Sequence, residues 1–213
     1  YVIKRPGFIS SEFAEGRRVR YMSPLSLFFL LNLVYFLFPL IQLFNASLNT
    51  QLLAPYGDLL EFPLTTKIVS EDLNLASFTV LYNQKTVGLA KLLVMVYVVL
   101  SSLPLYILYR KKNRYFTDHI TYSVELACYN LFVNALCLTL VTKVFGFGHY
   151  VNELSLTAIF IVTNLYFLVR SGVIFYNEKG WRLVAKSLSM LVFLKISLEG
   201  YRFILFFITL WLM

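Results

Sequence analysis

GRRVRYMSPLSLFFLLNLVYFLF, Gly16–Phe38, changes character at its middle. Arg17, Arg18 and Arg20 crowd its start, and an almost unbroken apolar run follows from Leu25. A helix needs about 20 predominantly apolar residues to cross about 30 Å of hydrocarbon, and Leu25–Phe44 supplies a run of that kind. The arginines beside it suit three roles: gripping a nucleic acid, holding a membrane surface, or fixing which way a helix points. The rest of the chain decides among them.

Four more runs of spanning length follow: Gly88–Tyr109, His119–Val144, Leu154–Phe175 and Ser187–Met213. The 213 residues are 59% hydrophobic and only 14% charged, against roughly a quarter charged in soluble domains. The composition therefore predicts an all-α integral membrane protein of five transmembrane helices. Residues 1–24 precede them as an interfacial segment, residues 25–213 form the membrane domain, and residues 45–87 form an external loop. That loop holds Pro55, Gly57 and Pro63 and is too apolar for a plain linker, so short helices on the outer membrane face are expected in it.

Charge sets the orientation. Lys4, Arg5, Arg17, Arg18 and Arg20 stand before the first run. Arg110, Lys111, Lys112 and Arg114 stand between the second and third, and Arg170, Lys179, Arg182 and Lys186 around the fourth-to-fifth connection. The alternate connections hold only Lys67, Lys85, Lys91 and Lys143. Cytoplasmic loops carry the Lys/Arg excess, which predicts a cytoplasmic N-terminus and an external C-terminus. Nucleic acid is set aside, because the three basic clusters share one side of a membrane. Arg17, Arg18, Arg20, Tyr21, Lys111, Lys112 and Arg114 become candidate anchors for lipid headgroups or a partner. The residues before Leu25 do not read as a signal peptide.

RPGFISSEFAEGRRVRYMSP, Arg5–Pro24, reads as a short amphipathic helix lying in the interface, with Pro6 at its start, Phe8, Ile9 and Phe13 on an apolar side, and Gly16 as its stop. The stretch resembles the N-terminal motif of a bacterial polytopic membrane family, domain-of-unknown-function family 3667. The match lies in Arg5, Pro6, Gly7, Ile9, Gly16, Arg18, Tyr21 and Pro24. LPLYILYRKKNRYFTDHITYS, Leu103–Ser123, resembles a second family motif through Tyr115, Asp118, His119, Ile120, Tyr122 and Ser123. NLYFLVRSGVIFYNEKGWRLVAKSL resembles a third, less specific one. The resemblance implies a bacterial inner-membrane protein and supplies no activity. Relatives often carry a zinc-ribbon head with paired CxxC motifs, and this chain contains no CxxC. The family's two downstream histidines fall at Glu125 and Ala127, so a metal or proton role resting on them is not implied here.

Ionisable groups at membrane depth are costly and usually face a bundle interior. Asp118, His119, Glu125, Lys195, Glu199 and Arg202 form the candidate intramembrane polar cluster. Asp118 and Glu125 share a helical face, and so do Lys195, Glu199 and Arg202. Counted at 1.5 Å per residue, Glu125 and Lys195 lie about 10 and about 12 Å deep, which predicts neighbouring third and fifth spans and a Glu125–Lys195 ion pair. Glu199 is left to pair with Lys195 or Arg202. Asn130, Asn134 and Asn164 are expected to hydrogen-bond between helices. Cys128 and Cys137, nine apart on one helix, face opposite ways and read as buried hydrophobes.

No nucleophile elbow, phosphate loop or metal-ligand spacing is present in the sequence. No catalytic residues, cofactor or metal are therefore assigned. The expectation is a non-enzymatic subunit or scaffold of the bacterial inner membrane, binding phospholipid headgroups and a protein partner in a membrane complex. The alternative is a lipid or small-anion transporter using Glu125, Lys195, Glu199 and Arg202. An intramembrane lipid enzyme would rest on His119 and Glu125 alone.

Overall fold

The computed structural model describes residues 2–17, 21–37, 44–70, 74–138, 140–141 and 153–213. Among them every regular element is helical: α1 (Phe8–Ala14), α2 (Pro24–Leu37), α3 (Leu48–Leu52), α4 (Gly57–Ser70), α5 (Leu75–Tyr109), α6 (Phe116–Tyr129), a π-helical segment (Asn130–Cys137), α7 (Glu153–Phe175) and α8 (Trp181–Leu212). Arg18 and Arg20, Lys143 and parts of the first and third predicted spans lie outside the described residues. Two helices are long and apolar enough to cross a membrane, α5 and the Ser155–Phe175 part of α7, and α2 is a shorter apolar helix of 14 residues. The chain divides into two compact units, Tyr1–Ile41 with Val98–Ile196 and Gln42–Tyr97 with Ser197–Met213.

In the first unit α6 is the central element. Every residue from Tyr122 to Leu131 is buried, on all sides of the helix. It packs against α1 and α2, and the π-helical segment continues the contact with α2 and adds one with α7. Local sequence explains both helix starts on this path. Ser23 Oγ accepts from the Ser26 amide at 3.0 Å, so Ser23 caps α2 and Pro24 takes the first helical position, where its missing N–H costs nothing. The Asp118 carboxylate accepts from the Tyr115 amide at 3.0 Å and closes a capping box on α6.

Asparagines tie α6's extension to α7. Asn130 and Asn164 exchange amide hydrogen bonds at 2.9 Å in both directions, and Asn134 Nδ2 donates to Asn130 Oδ1 at 2.7 Å. Thr163 Oγ1 donates to Asn134 Oδ1 at 2.9 Å. Such bonds, with close packing, set which faces of the two helices meet. Asn130→Leu removes the acceptor of the Asn134 NH₂ and the donor to Asn164 Oδ1, while Asn164 Nδ2 keeps Phe160 O. It is expected to lower stability by about 1–3 kcal/mol, read as an earlier unfolding transition in detergent. An unchanged transition would show that the ladder contributes nothing.

The second unit is built on a core of Leu48, Leu60, Leu64, Phe78, Tyr82 and Phe206. The predicted loop 45–87 is therefore mostly helical, holding α3, α4 and the beginning of α5. The second span was expected from Gly88, whereas α5 begins at Leu75 and runs for 35 residues. The cause is local. Asn74 Oδ1 accepts from the Ser77 amide at 2.8 Å, and no Pro or Gly interrupts residues 75–87. Phe78, Tyr82 and Thr86 then recur at four-residue spacing on the buried face.

Candidate functional site

The first unit holds two polar constellations. One joins the N-terminal segment to α6. Glu125 is 1% exposed. Its carboxylate accepts from the Gly7 amide at 2.9 Å, from the Ser10 amide at 2.8 Å and from the Ser10 hydroxyl. Gly7 makes this possible by adopting φ 80°, which turns its N–H towards α6 at the start of α1. At the other end Gly16, with φ 83°, closes the helix. Its N–H reaches Phe13 O at 3.1 Å while the Arg17 N–H reaches Glu12 O at 2.9 Å. The buried face of α1 is Ile9, Ser10 and Ser11, not the predicted side of Phe8, Ile9 and Phe13. Ser10 faces inward to Glu125, while the Ser11 hydroxyl donates to Glu15 at 3.1 Å.

The predicted Glu125–Lys195 ion pair is not made. The Glu125 oxygens are engaged by α1, and Lys195 occupies an exposed position on α8. Matching charges by depth failed because the carboxylate is satisfied by backbone donors, which carry no signature in side-chain spacing. Glu199 pairs with Arg202 at 3.5 Å in the second unit, where the Tyr56 hydroxyl also donates to Glu199 at 3.4 Å. Burial, reinforced by the Glu199 charge, pushes the Tyr56 phenol up to about 12.

The second constellation lies where α5 ends and α8 begins. His119 Nδ1 and the Tyr176 hydroxyl are 2.8 Å apart. The Tyr176 ring stacks on Tyr109 with centroids 3.7 Å apart and planes 4° from parallel, and Lys186 Nζ sits 4.5 Å from the Tyr109 centroid. Burial raises the Tyr176 phenol above its ordinary range, keeping it neutral as a partner for His119. Lys186 also donates to both Glu178 oxygens, at 2.9 and 2.8 Å. Beyond this stack opens a cavity of about 620 Å³ lined by Arg110, Lys111, Lys112, Arg182 and Lys186, with Glu178 and an apolar wall of Ile107, Leu108 and Ala185.

Of the candidate anchors, Lys111 and Lys112 line this cavity. Arg114 turns instead to α7, donating to Phe175 O at 3.2 Å with its guanidinium 4.8 Å from the Phe175 ring. Arg17 is engaged by Glu12 and Glu15, each at 2.6 Å. Tyr21 packs edge-on against Phe8. Asp118 caps its own helix. Arg110, Arg182 and Lys186 were visible in the sequence as members of basic clusters, but their convergence on one cavity has no sequence signal. Among the described residues no group of three His, Cys, Asp or Glu side chains is placed to hold a metal ion. Cys128 donates to Pro24 O at 3.6 Å.

The described architecture is that of an all-helical protein with two helices able to cross a membrane. Residues 1–36 match the family described as Protein of unknown function (DUF3667), so the resemblance carried by the RPG segment holds over that stretch. No curated protein and no solved structure matches the chain.

Proposed function

We propose that this chain is a five-span protein of the bacterial inner membrane, with its N-terminus cytoplasmic and its C-terminus periplasmic. In this reading it serves as a non-enzymatic subunit or scaffold. Its basic side holds phospholipid headgroups, and it joins a protein partner in a membrane complex. The observation that supports this most is the use made of the polar groups on α6 and the π-helical segment that continues it. Tyr122 bonds Ser171 at 2.5 Å, Ser123 bonds Ser101 at 2.5 Å, Glu125 holds α1 and Asn130 holds Asn164. Each joins one helix to another, which is what a rigid scaffold requires. A transporter would need Glu125 free to meet a substrate.

Extraction from native membranes in mild detergent, followed by native electrophoresis and mass spectrometry, tests the reading. The expected result is an assembly larger than the monomer that contains a second polypeptide. A monodisperse, partner-free monomer would overturn it. So would transport in proteoliposomes that is lost on Lys195→Ala.

A further inference from the structure

Four cations of the 620 Å³ cavity, Arg110, Lys111, Lys112 and Arg182, make no side-chain hydrogen bond or ion pair among the described residues. The one carboxylate in the lining, Glu178, is bound by Lys186, and Lys186 is held in turn over the Tyr109 ring. The cavity thus presents uncompensated positive charge drawn from two separate segments, the turn after α5 and the first turns of α8. Its volume falls in the range of sites for small organic ligands, about 300–1,000 Å³, and exceeds what a lone oxyanion fills.

The apolar part of the surroundings narrows the ligand class. Ile107 lies in the cavity wall. Val99, Leu103, Tyr106 and Ile107 are exposed by 43%, 44%, 46% and 66%, at spacings that keep them along one side of α5. This helix is one of the two able to cross a membrane. A cationic chamber continuous with an exposed apolar stripe on such a helix suits an amphiphile with an anionic head and a hydrocarbon tail. We infer that the cavity binds the phosphate headgroup of an anionic phospholipid through Arg110, Lys112 and Arg182, with an acyl chain lying along Val99, Leu103, Tyr106 and Ile107. Arginine forks favour phosphate oxygens, while the Glu178–Lys186–Tyr109 contact holds the remaining cation within the same lining. The assignment rests on the scaffold reading and names the lipid class at its basic side.

Native mass spectrometry of the full chain released from vesicles of phosphatidylglycerol and phosphatidylcholine tests it. Phosphatidylglycerol adducts are expected to persist at collision energies that strip phosphatidylcholine. Their retention is expected to fall by about tenfold or more in the Arg110→Ala/Lys112→Ala/Arg182→Ala variant. A variant with equal charge loss elsewhere, Lys67→Ala/Lys85→Ala/Lys91→Ala, is expected to retain them, and excess inorganic phosphate is expected not to displace them. Equal loss in both variants, or no preference between the lipids, would overturn the site. Displacement by inorganic phosphate would overturn the lipid assignment in favour of a free phosphate. Assembly size measured on the same preparations separates the two proposals: lost lipid with an intact assembly rejects the cavity alone, and retained lipid on a bare monomer rejects the scaffold.

Discussion

Glu125→Leu is expected to detach α1 from α6. Leucine keeps most of the volume but accepts no hydrogen bond, so the Gly7 amide, the Ser10 amide and the Ser10 hydroxyl lose their acceptor together. Leaving a buried donor unsatisfied costs about 1–3 kcal/mol, more where the lost partner is charged. Three donors orphaned together favour undocking of α1, which returns them to other partners. Hydrogen exchange followed by mass spectrometry reads it directly. Protection across Gly7–Ser11 should disappear while α7 keeps its own. Glu125→Gln, which retains one carbonyl acceptor and turns an NH₂ towards the remaining donors, should give an intermediate loss. If the Leu variant keeps full protection at Gly7 and Ser10, the carboxylate is not what holds α1.

That contact also marks the limit of what the sequence conveys. The basic clusters, the apolar runs and the RPG segment are properties of consecutive residues, and they were legible as such. So were the polar asparagines, because a polar amide within a long apolar run has few reasons to be there except a partner. Short helices were expected within residues 45–87, but the core they build was not legible. Apolar positions there, such as Phe78 and Tyr82, serve a small core of their own with Leu48, Leu60 and Phe206, and average hydropathy is blind to that. Glu125 was singled out by its charge within an apolar run, but its partners are Gly7 and Ser10 and not Lys195. Electrostatic reasoning from sequence sees only side-chain charges, whereas the donors are two backbone amides and one neutral hydroxyl, the Gly7 amide turned inward by a positive φ. The cavity at the end of α5 was invisible for a related reason. Arg110 and Arg182 lie 72 positions apart in sequence, and only the fold brings them to one wall.

Gly7→Ala should displace the same helix from its other side. A Cβ added at Gly7 would stand 2.7 Å from Ser171 Cβ, 3.0 Å from Ser171 Cα and 3.1 Å from Ser171 O. Two of those three atoms are backbone within α7, so no side-chain rotation relieves the contact. A left-handed conformation costs an L-residue about 1–2 kcal/mol, and overpacking a well-filled site adds about 1–3 kcal/mol. The expected total is about 2–5 kcal/mol. Gly16→Ala separates the two contributions. Gly16 has nearly the same φ, 83°, but nothing lies within 4 Å of its added Cβ, so it should carry the backbone cost alone. Thermal unfolding of both variants in one detergent should therefore place Gly7→Ala well below Gly16→Ala. Loss of protection at the Ser10 amide should appear only in the former. Equal destabilisation would mean that α1 does not press against Ser171, and that the RPG glycine is required for its backbone angle and not for the close approach to α7.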